Sequence, residues 1–166
     1  MTDTALDHVV VEQATRGSDV QCAGRDGERI HVEIQATQRG LGWVVDWLIE
    51  RCKRYNAPVV IDARSALGSI IPKLEDAQVR VITTSASDVA TACGLFYDDV
   101  IEGRLRHLDD SILNLAVAGA AKRPLGDAWA WNRKTATSNI APLIAATNAA
   151  WASSLETSSE PSVYFI

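Results

Sequence analysis

Residues 123–134, RPLGDAWAWNRK, place one carboxylate, Asp127, among two tryptophans and three bases, Arg123, Arg133 and Lys134. Such a grouping could supply carboxylate oxygen for a hard divalent cation and positive charge for a phosphodiester. Trp129 and Trp131 stand two apart, so in a strand both indoles face the same way. Pro124 is expected to stop the alanine-rich helix before it, and Gly126 to let the backbone turn, which would hold Asp127 at an element edge. The same residues also read as a capped turn with a solvated aspartate over core tryptophans.

A second carboxylate, Asp62, closes the run PVVID at 58–62. A short unbroken apolar run reads as a strand buried on both faces, and the loops leaving such strand ends form the crevice of open α/β sheets. The structural alternative is an N-cap for the helix expected at 68–77, although ARSAL in between makes Asp62 early for that role. Three basic groups could meet phosphate: Arg104 with Arg106, Arg133 with Lys134, and Arg51 with Lys53 and Arg54. The last also suits the solvated end of a helix, where cations offset the dipole.

The elements that would position these residues follow from periodicity. Strands are expected at 8–13, 20–24 and 29–35, the last because Ile30, Val32 and Ile34 alternate with His31, Glu33 and Gln35. A helical period follows over 40–56, with Leu41, Val44, Val45, Leu48 and Cys52 on one face. Strands at 58–62 and 79–83 flank the 68–77 helix. Ser87 is expected to cap a helix running through Val89, Cys93, Phe96 and Ile101, with Asp98 and Asp99 on its polar side. Asp109 and Asp110 would cap a helix through Ala121, and Ser138 or Asn139 a final helix over 140–153, with Pro142 in its first turn. Residues 154–166 form a tail, a polar spacer ending in SVYFI. Three strands followed by alternating helix and strand imply a mixed sheet with helices on both faces.

The length of 166 residues suits one domain, and 47% hydrophobic with 22% charged residues is enough for a packed core. No apolar run reaches the length of a membrane span, and MTDTALDH lacks the features of a secretion signal, so a cytosolic location is expected. The three cysteines, Cys22, Cys52 and Cys93, show no CxxC spacing and read as reduced thiols. A net charge of −5 means that any contact with nucleic acid must use a local patch, a metal or a partner.

The segments ACGLFYDDVIEGRLRHLDD and AVAGAAKRPLGDAWAW, with HVEI, GWVVDWL, VVID and IAPLIAAT around them, resemble the nuclease domain of tailed-phage terminase large subunits. The resemblance covers most of the chain, about 1–153. It implies an RNase H-like fold with a five-stranded mixed sheet, and a DNA endonuclease that cuts concatemeric viral DNA during packaging in the host cytoplasm. It also implies two magnesium or manganese ions held by an acidic cluster, one activating water and the other steadying the leaving oxygen. Carried over by position, the ligands are Asp62, Asp127 and a first-strand acid.

That first strand reads HVVVEQATRGSDV, without the aspartate and proline turn usual in the family. Glu12 is the best substitute, with Asp7 and Asp19 as fallbacks. The DNA contacts are expected from Arg104, Arg106, Arg133 and Lys134. The implied partners are double-stranded DNA, a terminase ATPase domain, a small terminase subunit and a portal protein. The chain has no GxxxxGK[ST] loop and is not expected to bind ATP.

Two other readings stay open: a catalytically degraded module that guides or docks DNA, and a different nuclease on the same fold, such as a resolvase. His31 and His107 read as surface or hydrogen-bonded residues, since a metal-activated water needs no histidine base. Trp43 and Trp47, four apart on a helix, read as packing or partner-contact residues.

Overall fold

The computed structural model describes residues 8–14, 17–26 and 28–155, and for 8–22 and 24–26 it describes the backbone only. Strands β1 (His8–Ala14), β2 (Gly17–Asp26) and β3 (Arg29–Gln38) form an antiparallel meander, with an irregularity in β2 between Val20 and Gln21. Helix α1 (Val44–Tyr55) then leads to β4 (Val59–Ile61), which lies parallel to β1. A 3-10 turn (Ala66–Ile70) and α2 (Ile71–Asp76) cross to β5 (Val81–Thr83), parallel to β4.

The sheet has six strands rather than five, in the order β5-β4-β1-β2-β3-β6. All five expected strands take part. The sixth, β6 (Leu105–Arg106), follows α3 (Ala86–Ile101) and runs parallel to β3. Its cause is local. Asp99, expected on the polar side of its helix, is 8% exposed and accepts from Arg104 Nε at 2.7 Å, while Ile30 N donates to Arg104 O at 3.0 Å. The ion pair folds the chain back onto the edge of β3, which a reading of periodicity alone does not show.

The two sides of β4 feed two cores. Val60 packs with Phe96, Leu143, Ala149 and Trp151, whereas Val59 and Ile61 pack with Leu48, Leu67 and Leu74. Strand alternation therefore sends helices α1 and α2 to one face and α3 and α5 (Ala141–Leu155) to the other. Helix α5 is apolar nearly all round because it is covered on both sides, by the sheet and by α3 and α4 (Ser111–Ala118).

Several boundaries differ from expectation for identifiable reasons. Ser85, not Ser87, caps α3: its hydroxyl accepts from Asp88 N and the Asp88 carboxylate accepts from Ser85 N, a reciprocal box that Ser87, inside the first turn, cannot make. Asp110 alone caps α4, while Asp109 adopts φ 57° and accepts from Asn114 Nδ2. Helix α4 ends at Ala118 because Gly119 lies against Ser138, where a Cβ would have no room. Pro124 thus stops no helix; it sits in β7 (Lys122–Leu125), which pairs with β8 (Ala128–Trp131) in a separate hairpin. Ser65 caps the 3-10 turn, so Asp62 has no capping role there. Asn139 Oδ1 accepts from Ala141 N at the start of α5, and that helix continues past 153 to Leu155. Asp7, the 15–16 turn and residues 156–166, with most of the expected tail, lie outside the described residues.

Candidate functional site

Asp62 follows the last residue of β4, at the carboxyl end of the sheet's parallel part. Its position is fixed by its own loop. Ser65 donates to Asp62 O through both its amide, at 2.9 Å, and its hydroxyl, at 2.7 Å. Arg64 holds the carboxylate by its backbone amide at 3.0 Å, by Nε at 3.1 Å and by Nη2 at 3.5 Å. Behind the loop, Gly68 lies so close to Ala63 O that any Cβ would strike backbone.

A cavity of about 590 Å³ opens beside Asp62. Its walls are α3 at Val89 and Cys93, α5 at Thr147 and Asn148, and the base of the β7–β8 hairpin with the segment after it. Trp131 is locked in place: Nε1 donates to Thr147 Oγ1 at 2.9 Å, and that hydroxyl donates to Leu143 O at 2.7 Å. The hairpin base is further tied to α3 by edge-on contacts of Trp129 with Tyr97 and Trp131, and by Lys122 Nζ stacked 3.6 Å from the Tyr97 ring centre.

Among the described side chains, Arg64, Arg123, Arg133 and Lys134 line the cavity together with one carboxylate, Asp62. Asn148 is 4% exposed and lines the cavity from α5. Burial pushes the Cys93 thiol up, opposed by a hydrogen bond from the Trp131 backbone and by the Arg123 charge. The field of Arg123 therefore reaches the cavity wall.

Of the residues expected to form one site, the structure brings Asp62, Arg133 and Lys134 to one cavity. Glu12 is close by backbone register: β1 and β4 pair Val9 with Val59 and Val10 with Val60, and two further steps set Glu12 level with Asp62. Asp19, the fallback, pairs with Glu12 on the strand beyond and is farther from β4.

Asp127 does not join them. It occupies the turn of the hairpin beside Gly126, at φ 61°, and is exposed. Four residue steps along β8 carry the chain from it to Trp131 on the cavity wall, roughly 13 Å of strand. Asp127 is not among the residues lining the cavity beside Asp62.

Arg106 lies on β6 and Arg104 directly before it, four strands from β4 or roughly 19 Å across the sheet. Arg104 is ion-paired with Asp99 and Glu102, and Arg106 donates to Gly103 O and Leu105 O. Neither lines the cavity beside Asp62. Arg51 is stacked on Trp47 and Arg54 on Tyr55, on the helix covering the other face. Trp43 and Trp47 meet edge-on at 6.2 Å, as a packing pair does. His31 lies 3.6 Å from Glu33, and His107 Nδ1 accepts from Asp109 N; neither lines the cavity.

Among the described residues no group of three histidine, cysteine, aspartate or glutamate side chains could hold a metal. Asp62 is already engaged by a guanidinium, and its polar neighbours Asn132, Thr147 and Asn148 are neutral. Among the described side chains lining the cavity, Asp62 is the one that could offer a carboxylate to a divalent cation. Sequence reading missed Arg64, Thr147 and Asn148. The available signal was the polar pair Thr147–Asn148 inside the alanine-rich IAPLIAATNAAWAS, where burial demands a reason for each polar group.

No protein-family model and no curated protein sequence matches the chain. Solved structures do. The HK97 bacteriophage large terminase superposes with a TM-score of 0.68 at 13% identity, covering 87% of this chain and 38% of that one. The large terminase nuclease from thermophilic phage G20c gives 0.63 at 15% identity, covering 87% of this chain and 78% of that one. The nuclease domain of the Thermus phage P74-26 large terminase gives 0.59 at 13% identity, with coverages of 86% and 76%. The chain thus spans well under half of the full-length HK97 protein but most of the two isolated nuclease domains, and its fold is that of the phage large-terminase nuclease domains.

Proposed function

We propose that this chain is the nuclease-type domain of a viral DNA-packaging terminase, and that it receives the phosphodiester backbone of double-stranded DNA in the cavity beside Asp62. The observation that carries this reading is the placement of four cationic side chains around one strand-end carboxylate, on the fold shared with those phage domains. Arg123, Arg133 and Lys134 would neutralise and orient the backbone, while Trp131, fixed by Thr147, keeps the wall rigid. The net charge of −5 then makes sense if an attached ATPase motor, with its small subunit and portal, supplies most of the hold on DNA in the host cytoplasm.

Cleavage with magnesium or manganese is the finer form of this proposal. Its ligands would be Asp62 and Glu12, since Asp127 stands at the far end of its hairpin. A second reading, a domain that guides DNA without cutting it, is favoured by the Arg64–Asp62 pair and by the lack of a third acid among the described residues.

Nicking of supercoiled plasmid, with manganese, with magnesium and with chelator, separates the two. Metal-dependent nicking that vanishes in Asp62→Ala and Glu12→Ala but persists in Asp127→Ala supports cutting at this site. A folded chain that binds DNA and never nicks it supports the guiding role. A chain that neither binds nor nicks would sink the proposal.

A further inference from the structure

The outer face of α3 is composed unlike that of a solvated helix. We infer that it is a self-association surface, on which α3 of a second copy of this chain lies antiparallel across a two-fold axis at Gly94. The residues concerned do not line the Asp62 cavity, so the inference stands apart from whatever that cavity binds.

Three observations carry it. First, the face is nearly uncharged. Helix α1 turns Asp46, Glu50, Lys53 and Arg54 to solvent, whereas α3 carries no lysine or arginine and exposes Leu95, Tyr97 and Ile101 at 43%, 41% and 68%. Of its carboxylates, Asp88 serves the capping box and Asp99 the Arg104 pair, which leaves Asp98. Second, no described residue accounts for Gly94. A Cβ there would meet nothing within 4 Å, whereas at Gly68 and Gly119 it would strike Ala63 and Ser138. Glycine inside a helix is destabilising relative to alanine, and what it offers in exchange is room for another backbone to come close.

Third, the face is self-complementary. Ser87, Gly94 and Ile101 stand seven apart, about two turns, so they form one line along the helix. Gly94 is at the middle of α3 (Ala86–Ile101), and a two-fold axis there sets Ile101 of each copy on Ser87 of the other, Tyr97 on Thr91 and Asp98 on Ala90. In every pair a larger side chain meets a smaller one. A parallel arrangement would instead set Ile101 on Ile101 and bring the two Asp98 carboxylates together. Antiparallel helices also align their dipoles favourably, and they hold the two Asp98 residues roughly 12 Å apart along the axis, beyond the screening length of about 8 Å in physiological salt. A helix of 16 residues is roughly 24 Å long and 10 Å wide, a small footprint beside the roughly 800 Å² per partner of a standard interface, so the pairing is weak and depends on concentration.

The test is sedimentation of the intact chain from micromolar to millimolar concentration. Expected is a reversible monomer–dimer equilibrium that Gly94→Glu weakens by about tenfold or more, because it sets two carboxylates against each other at the axis. Nothing stands within 4 Å of that Cβ, so the variant should fold, and thermal unfolding checks it. A short thiol-reactive cross-linker reads the geometry. A mixture of Ser87→Cys and Ile101→Cys chains should give a covalent dimer and neither chain alone should, with the wild-type chain and its Cys22, Cys52 and Cys93 as the blank.

A chain that stays monomeric to millimolar concentration overturns the inference. So does a dimer that Gly94→Glu leaves intact; its loss in Leu115→Glu would then place the contact on the exposed side of α4. Cross-linking of Ile101→Cys with itself overturns the antiparallel arrangement. None of these outcomes bears on the proposed nuclease-domain role, which the nicking experiment decides.

Discussion

The loop that follows β4 is held on several sides, whereas the turn between β7 and β8 is held only by its own hairpin. Around Asp62, two hydrogen bonds from Ser65, three from Arg64 and the contact of Gly68 with Ala63 leave the backbone one position to occupy. Around Asp127, a positive-φ glycine makes the tight turn and the carboxylate faces solvent. Asp62 closes the apolar run PVVI, with Arg64 two residues on, and Asp127 follows Gly126 at the start of AWAW. What separates them is depth in the sheet: β4 has neighbours on both edges and helices on both faces, and the hairpin is a two-stranded ribbon attached at its base. A side chain is held in position when its strand end is surrounded, and a hairpin tip lacks that surrounding.

The largest expected effect is at Gly68→Ala. The added methyl would meet the Ala63 carbonyl, a backbone atom that cannot rotate away, so we expect a loss of about 2 kcal/mol in urea denaturation and a displaced Asp62 loop. An unchanged midpoint would mean that the loop is not clamped as described. Next is Trp131→Phe, which keeps an aromatic ring but leaves Thr147 Oγ1 without its donor, at a cost of about 1 kcal/mol. A double-mutant cycle with Thr147→Val should return most of that energy as coupling, and additive single effects would refute the contact.

Smaller still, Asp127→Ala should change stability by less than about 0.5 kcal/mol, as exposed substitutions do, and should leave DNA affinity unchanged. A tenfold loss of affinity there would place the hairpin tip at the DNA and break the contrast with Asp62.

The smallest effect concerns pH at the start of α3, whose Val89 lines the cavity. The Ser85 side-chain and backbone hydrogen bonds hold the Asp88 carboxyl below its usual value. Its stabilisation of the capping box is therefore complete above the unfolded carboxylate value and is lost as pH falls through the lower, folded value. Amide exchange at the first turn of α3 should rise only in that acidic window; Asp88→Asn should remove the pH dependence, and its persistence in that variant would assign it to another group.

Much of the fold could be read from the chain because alternation and helical period are local consequences of burial. The meander, the PVVID strand, the α1 face of Val44, Leu48 and Cys52, and the paired faces of Trp129 and Trp131 all came from spacing. The sixth strand did not, because it depends on the Asp99–Arg104 ion pair, and two residues carry no periodic signal. Asp62 was legible as a strand-end acid, and Arg133 and Lys134 as bases grouped with Asp127; only the structure sets them on the cavity beside Asp62.

Residue types and spacings determined which segments become strands and helices and which carboxylates and cations lie at their ends. Tertiary structure alone decided who meets whom: that Asp127 stands at a hairpin turn outside the lining of the Asp62 cavity, that Arg104 is ion-paired with Asp99 and Glu102, and that Asn148 on α5 lines the same cavity as Arg64 and Lys134. The physical reason is that periodicity records whether a residue is buried, which is a property of its own element, while a site is made of distances between elements, which the packing of helices on both faces of the sheet sets.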